Sequence, residues 1–253
     1  WRRAPHVAVT TASGLASTAM AQYVAASILY HALRLWRLGE YHEVRDWSHR
    51  RDMQPNILVG RTVGFLGYGG VGRRAAHIAH SLGMRALAVR RSPARAASEL
   101  FRIPEIEALD AGPEPAEIRG PEPLDWLLSE SEYFVSTVPL TRDTRGLIGA
   151  RELALLPRDA VVINVSRGPV FDEAALIAAL QSGHLRGASL DVFETEPLPA
   201  DSPLWDLANV MVTPHVSGTH DRVSRYTADL WIANLGNSTY TNRCLIHTNF
   251  FPA

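Results

Sequence analysis

Arg61-Thr-Val-Gly-Phe-Leu-Gly67-Tyr-Gly69-Gly70-Val71-Gly72 is the stretch from which the rest of this chain can be read. A short apolar run ends in Gly67-x-Gly69-x-x-Gly72, and an Ala-rich segment of helical character follows. Strand, tight turn and helix in that order are the context a dinucleotide-binding turn requires. Each glycine has a mechanical task. Gly67 permits the turn, Gly69 lets bare backbone approach a pyrophosphate, and Gly72 lets helix and strand pack closely. The helix N-terminus adds unpaired N–H groups and the positive end of its dipole.

Working outward, the next strand is Arg85–Val89, followed by Arg90, Arg91 and Ser92. A ligand with a free ribose diol calls for an acid about 20 residues beyond the glycines. Here arginines and a hydroxyl stand instead, groups that suit a 2′-phosphate. NADP is therefore the expected cofactor, ahead of NAD.

Further strands are expected at Tyr133–Val138, Ala160–Val165, Ala188–Val192 and Val210–Val212. Helices are expected at Arg74–Ser81, Leu124–Ser129, Glu152–Leu156 and Asp172–Ser182. Thr18–Leu38 carries apolar residues at helical spacing and reads as one long helix, with Glu40–Asn56 a connector. Ser92–Pro123, punctuated by prolines, reads as loop. Near-continuous apolar strands alternating with helices predict an α/β fold, a doubly wound parallel sheet covered on both faces. Asn237–Ala253, rich in Asn and Thr, shows neither helical nor strand periodicity.

The bulk properties narrow the function classes. The chain has 253 residues and a formal net charge of −1, which offers no basic field for nucleic acid or a membrane surface. The apolar stretch Ala19–Leu38 is interrupted by Gln22, His31 and Arg34, so it is not a membrane span. One cysteine, Cys244, precludes an intrachain disulfide and fits a reducing compartment, so a cytoplasmic location is expected. All 25 basic side chains of the Lys+Arg class are arginine, which removes any catalytic lysine. His77 and His80 lie three apart on one helix, but no acid or cysteine cluster accompanies them, and no metal site is expected.

Three polar stations follow strands in the second half: Asn164-Val165-Ser166-Arg167-Gly168, Asp191-Val-Phe-Glu194-Thr-Glu196-Pro197, and Thr213-Pro214-His215-Val-Ser-Gly218. In open parallel sheets ligands sit beyond the carboxyl ends of strands, so all three point to the crevice that the glycine turn faces. Carbonyl reduction needs such a set. A guanidinium can hold a carboxylate and the reacting carbonyl. A histidine can deliver the proton, and a carboxylate beside it fixes the tautomer. Blander readings stand alongside. Arg167 can be a surface cation, His215 a turn residue, Glu196 a solvated acid with Glu194 as rival, and Asp191 an Asx cap.

The order and spacing of these motifs resemble the D-isomer-specific 2-hydroxyacid dehydrogenases, over about Val7 to Leu235. The resemblance implies Arg167 as the substrate-orienting cation, His215 as acid/base and Glu196 as its partner. It implies cofactor contacts from Gly67, Gly69, Gly70, Val71, Gly72, Arg90, Arg91, Ser92, Val138, Pro139, Thr144, Val165, Ser166, Asp191 and Gly218. Arg90, Arg91 and Ser92 resemble the pattern of the NADP-dependent glyoxylate/hydroxypyruvate reductases, implying a small 2-oxo acid substrate. The helix Thr18–Leu38 with Trp36 and the Trp47 segment resembles the family's dimerisation arm, implying a homodimer. Gln22 replaces the family's acid in that helix. Residues 14–218 are expected to form the dinucleotide-binding domain. Residues 1–13 and 219–253 are expected to be remnants of a flavodoxin-like substrate domain and a tail, and the chain opens at Trp1 as a fragment would. The alternative reading is a catalytically silent dinucleotide-binding sensor or partner-binding protein.

Overall fold

In the computed structural model, the residues described are 12, 14–45, 47–48, 53–91, 114, 116–120 and 124–241, with side chains through 232. The expectations for Ser92, for residues 1–11 and 13, and for residues 242–253 lie outside them.

The strands are β1 (Thr62–Leu66), β2 (Arg85–Val89), β3 (Ala116–Arg119), β4 (Tyr133–Ser136), β5 (Ala160–Asn164), β6 (Leu185–Leu190) and β7 (Val210–Val212). They form one sheet in the order β3-β2-β1-β4-β5-β6-β7, and every pairing is parallel. The order reverses between β1 and its two neighbours, β2 and β4, which is the switch point where such sheets bind ligands. The helices are α1 (Ser17–Ala32), α2 (Trp36–Val44), α3 (Gly70–Ser81), α4 (Leu124–Glu130), α5 (Ala150–Leu155), α6 (Glu173–Gln181) and α7 (Val223–Thr241).

Side-chain alternation along the strands builds two cores. In β5, Ala160 and Val162 enter one apolar cluster and Val161 and Ile163 the other. The first cluster packs β5 and β6 against α5 and α6, around Leu153, Leu176 and Leu180. The second lies under α1 and α3, where Ala21, Val24, Ile28, Ala75, Ala76 and Ala79 meet Val63, Phe65 and Val135. Small residues on α3 let it lie close to the sheet, which brings the glycine turn to the strand ends.

The sheet agrees with the expected fold, and the connections depart from the expectation in four places. The long helix is broken: Arg34 adopts φ 53 between α1 and α2, so the chain turns a corner there. Residues 36–44, expected as helix end and connector, form α2, none of whose side chains is buried. A short strand, β3, forms within the proline-rich stretch expected to be loop, and pairs along β2. Residues 237–241, expected to be non-helical, continue α7 to Thr241. Between 219 and 241 the structure has α7 and no strand, so nothing described there forms part of a flavodoxin-like sheet.

Candidate active site

The turn after β1 is built as the glycine pattern requires, for reasons that differ at each position. Gly67 has φ +92, a conformation that side-chain-bearing residues rarely adopt, and a Cβ there would press on Val138 at 2.9 Å. At Gly72 a Cβ would lie 2.6 Å from the Gly67 carbonyl oxygen. Gly69 caps α3 with extended backbone, and a Cβ there would meet nothing within 4 Å. Internal packing therefore accounts for glycine at 67 and 72 but not at 69. What glycine supplies at 69 is bare backbone at a helix N-terminus, the surface a pyrophosphate requires. The residues fit a dinucleotide on this ground. Gly70 and Val71 form the first turn of α3.

Thr137 pins the turn from β4: its hydroxyl donates to the Gly67 carbonyl at 2.9 Å. This residue was not among those expected, though its place directly before Val138-Pro139 on a strand end was the available signal. Val138 is half-buried and Pro139 exposed. Thr144 donates to the Pro139 carbonyl at 2.7 Å and accepts from the Thr141 N–H at 2.8 Å, so it shapes the loop beyond β4.

Arg90 leaves the end of β2, its N–H donating to Arg119 O and its guanidinium lying 3.5 Å from the Tyr68 carbonyl. Arg91 is exposed. A cluster not foreseen lies alongside: Glu114 accepts from the Tyr68 hydroxyl and from Arg73 Nε at 3.2 Å. Burial and then the Glu114 hydrogen bond push the Tyr68 phenol well above its ordinary range, so it remains a donor. Glu114 lies 46 residues from Tyr68 in a stretch read as loop, so sequence spacing gave no hint of the pair.

The three polar stations are tied to one another. In the first, Ser166 N–H and Oγ both donate to Asn164 Oδ1, at 3.0 and 2.6 Å. The Ser166 proton being thus used, Ser136 Oγ donates to Ser166 across 2.9 Å. Val165 and Ser166 are buried. Arg167 is exposed, with Nη1 donating to the Ser166 carbonyl at 2.6 Å. Gly168, quoted in the motif but given no task, joins the first station to the second. A Cβ there would overlap the Phe193 carbonyl oxygen at 1.8 Å, so the two backbones are in direct contact.

The second and third stations are joined by two carboxylates. Asp191 is 0% exposed. Its Oδ1 accepts from Thr213 Oγ1 at 2.6 Å and Val216 N–H at 2.9 Å, and its Oδ2 from Ser217 N–H at 2.8 Å. Because Thr213 spends its proton on Asp191, Tyr23 donates to Thr213, at 2.8 Å. Burial raises the Tyr23 phenol to about 12, which keeps that proton in place. Asp191 is thus the anchor of the loop that carries His215, a task more extensive than the Asx cap that was its blander reading.

Glu196, rather than Glu194, reaches the histidine. Its Oε2 lies 2.7 Å from His215 Nδ1, while Oε1 accepts from the Phe193 N–H at 3.1 Å. Glu194 is exposed and its N–H donates to Glu173. With Nδ1 committed to Glu196, His215 presents Nε2 outward, and its side chain is 46% exposed. His215 has φ 54, a left-handed conformation that costs a non-glycine residue about 1–3 kcal/mol. The Asp191 hydrogen bonds to Thr213, Val216 and Ser217 hold the turn on both sides of it. Gly218 closes the loop against α1, where a Cβ would approach Ala16 at 3.2 Å. Among the described residues Arg167 makes no hydrogen bond to Glu196 or His215; it shares their scaffold through Gly168. Among the described residues, no group of His, Cys, Asp and Glu is suited to a metal ion.

A doubly wound parallel sheet with a glycine turn at its switch point and a carboxylate-held histidine beyond its strand ends defines a dinucleotide-binding domain. Residues 25–217 match the D-isomer specific 2-hydroxyacid dehydrogenase, NAD binding domain, and the chain belongs to that family. A glyoxylate/hydroxypyruvate reductase B from Yersinia pestis (strain Pestoides F) is 37% identical over 206 residues, 80% of this chain and 58% of the relative. The chain thus spans little more than half the length of that curated relative. A D-isomer specific 2-hydroxyacid dehydrogenase from Xanthobacter autotrophicus Py2, solved with NADPH and MES, superposes with a TM-score of 0.80. It is 36% identical and matched over 97% of this chain and 93% of the other. An NADPH-dependent glyoxylate/hydroxypyruvate reductase from Sinorhizobium meliloti, solved with NADP and sulfate, gives a TM-score of 0.76. Its identity is 30%, with 93% and 69% of the two chains covered.

Proposed function

We propose that this chain is the cofactor-binding and proton-transfer part of an NADP(H)-dependent reductase of small 2-oxo acids, with glyoxylate and hydroxypyruvate as the favoured substrates. The observation that carries the reading is the His215–Glu196 pair at 2.7 Å, at the strand ends the glycine turn also faces. Residues 14–218 are taken as the dinucleotide-binding domain.

The cofactor, when bound, supplies the hydride. Gly69, Gly70 and Val71 at the start of α3 would hold its pyrophosphate, and Arg90 and Arg91, with Ser92, its 2′-phosphate. The relatives solved with NADPH or NADP support the choice over NAD. Arg167 supplies a planar pair of donors for a substrate carboxylate and carbonyl. Reduction leaves negative charge on the carbonyl oxygen, and protonated His215 donates from Nε2 to it. Glu196 fixes which nitrogen faces the substrate and stabilises the imidazolium before transfer. In the reverse direction His215 accepts the proton from the hydroxyl. The reading extends to a homodimer in the cytoplasm. Among the described residues no helix is long and apolar enough to cross a membrane.

The test compares glyoxylate-dependent oxidation of NADPH and NADH by the protein, alongside cofactor binding measured by fluorescence. The proposal expects turnover with a clear NADPH preference. A preference for NADH removes the assignment of Arg90 and Arg91, and binding of NADPH with no turnover of glyoxylate supports the silent-sensor reading instead.

A further inference from the structure

The opposite end of the sheet, at the amino ends of the strands, carries a second charged feature that the proposed reaction does not use. A cavity of about 410 Å³ opens there. Its walls include Arg34 from the α1–α2 corner, Arg61 before β1, Arg158 before β5 and Arg186 within β6, with Trp36 and Tyr133 supplying aromatic surface. Two acids share the lining, Glu132 and Asp159. Glu132 is already engaged by Arg61. That leaves three arginines and one acid on the lining, of which Arg158 and Asp159 are exposed.

Two of these guanidinium groups are unfinished. The Nε atoms of Arg34 and Arg186 are buried and have no hydrogen-bond partner. Arg186 spends another nitrogen, Nη2, on the Tyr133 hydroxyl at 2.9 Å, and its guanidinium carbon lies 5.3 Å from the Tyr133 ring centroid, so its position is fixed. Among the described residues neither Arg34 nor Arg158 forms an ion pair or a side-chain hydrogen bond. These two nitrogens expose almost no surface, so an anion in the cavity would be held by the terminal nitrogens of the arginines instead. The backbone points the same way. Arg34 (φ 53) and Asp159 (φ 67) are both non-glycine residues in the left-handed region, and both lie on this cavity. Such strain concentrates at ligand clamps.

We propose that this cavity is a binding site for a small oxyanion of two or more negative charges, a phosphate compound or a di- or tricarboxylate, remote from the candidate active site. The guanidinium groups of Arg34, Arg158 and Arg186 supply the fork of donors such an anion needs. The volume falls in the range of small-molecule sites. Trp36 and Tyr133 add apolar wall for an organic portion.

Calorimetric titration with inorganic pyrophosphate, and separately with citrate, tests the proposal and tells the two sources apart. The titrations are run on the unaltered protein, on an Arg34→Gln/Arg158→Gln variant, on Asp159→Asn, and on Arg90→Gln/Arg91→Gln. The cavity assignment expects at least one anion to bind, roughly tenfold more weakly to Arg34→Gln/Arg158→Gln. Asp159→Asn removes the opposing carboxylate while keeping a residue that tolerates the left-handed conformation, and tightens binding a few-fold. The Arg90/Arg91 variant binds as the unaltered protein does, since those residues belong to the other end of the sheet. Loss of binding in the Arg90/Arg91 variant alone, or displacement of the anion by saturating NADPH, would place it at the cofactor end of the sheet and overturn the proposal. So would absence of binding altogether, which leaves these arginines as counter-charges to the helix C-termini on this face. A shift in sedimentation on losing Arg34 and Arg158 would overturn it too, by marking the cavity as a contact between subunits.

Discussion

At the carboxyl ends of the strands, Asp191 and Glu196 are each held by donors from neighbouring loops. At the amino ends, two buried guanidinium nitrogens have no acceptor at all. Both ends carry a histidine within reach of the sheet, and the contrast repeats there. His215 is half-exposed and carboxylate-held, whereas His31 is buried, with Nε2 3.0 Å from Ser189 Oγ. Burial, followed by the charge of Arg186, lowers the His31 pKa to about 3. One end is organised before any ligand arrives, which is what proton transfer at a fixed geometry demands. The other gathers more arginines than acids, the imbalance that the proposed anion would meet.

The largest effect expected is at the organised end. His215→Ala should lower turnover roughly 10²- to 10⁴-fold while leaving NADPH affinity within about twofold. Equal loss of both in kinetic and binding measurements would make His215 a structural residue and erase the distinction between the ends. Next in size, Gly168→Ala forces a Cβ into the Phe193 carbonyl. Denaturant unfolding should show a loss of about 3 kcal/mol, with turnover falling too, because the loops bearing Arg167 and Glu196 are pushed apart. Full stability in this variant would mean the stations move independently.

His31 tests the buried end through pH. Its folded-state pKa, about 3, lies below its ordinary 6.5, so folding excludes its proton. Its contribution is complete above about pH 6.5 and is lost as pH falls from there toward 3. Between pH 7 and pH 5 the loss amounts to about 2 kcal/mol. Unfolding free energies measured at the two pH values should differ less in His31→Gln by about that amount; an unchanged difference would mean His31 is protonated in the fold. The smallest effect separates two glycines of one turn. Gly72→Ala should destabilise by about 1–2 kcal/mol, whereas Gly69→Ala should unfold as the unaltered protein does and bind NADPH roughly tenfold more weakly. Reversal of that pattern would remove the ligand-based reason for glycine at 69.

Much of this arrangement can be read from the chain because its signals are local. The glycine turn, the apolar β5 and the strand-end motifs each occupy a few consecutive residues. What escaped reading depends on contacts between distant segments, or on conformations without a residue signature. The corner at Arg34 is left-handed without glycine or asparagine to announce it. The strand β3 is four residues long and half-exposed, set among prolines, and exists by pairing with β2. His215, Glu196 and Arg167 were legible as candidates, but their mutual support was not. It rests on Asp191 reaching across to Thr213, Val216 and Ser217, and on the absence of a side chain at Gly168.

The contact at Gly168 has a consequence for how this domain can change. Because the backbone bearing Arg167 rests on the backbone bearing Glu196, and Asp191 binds the latter's loop to the one bearing His215, the three side chains are mechanically coupled. A substitution that retunes one of them displaces the others.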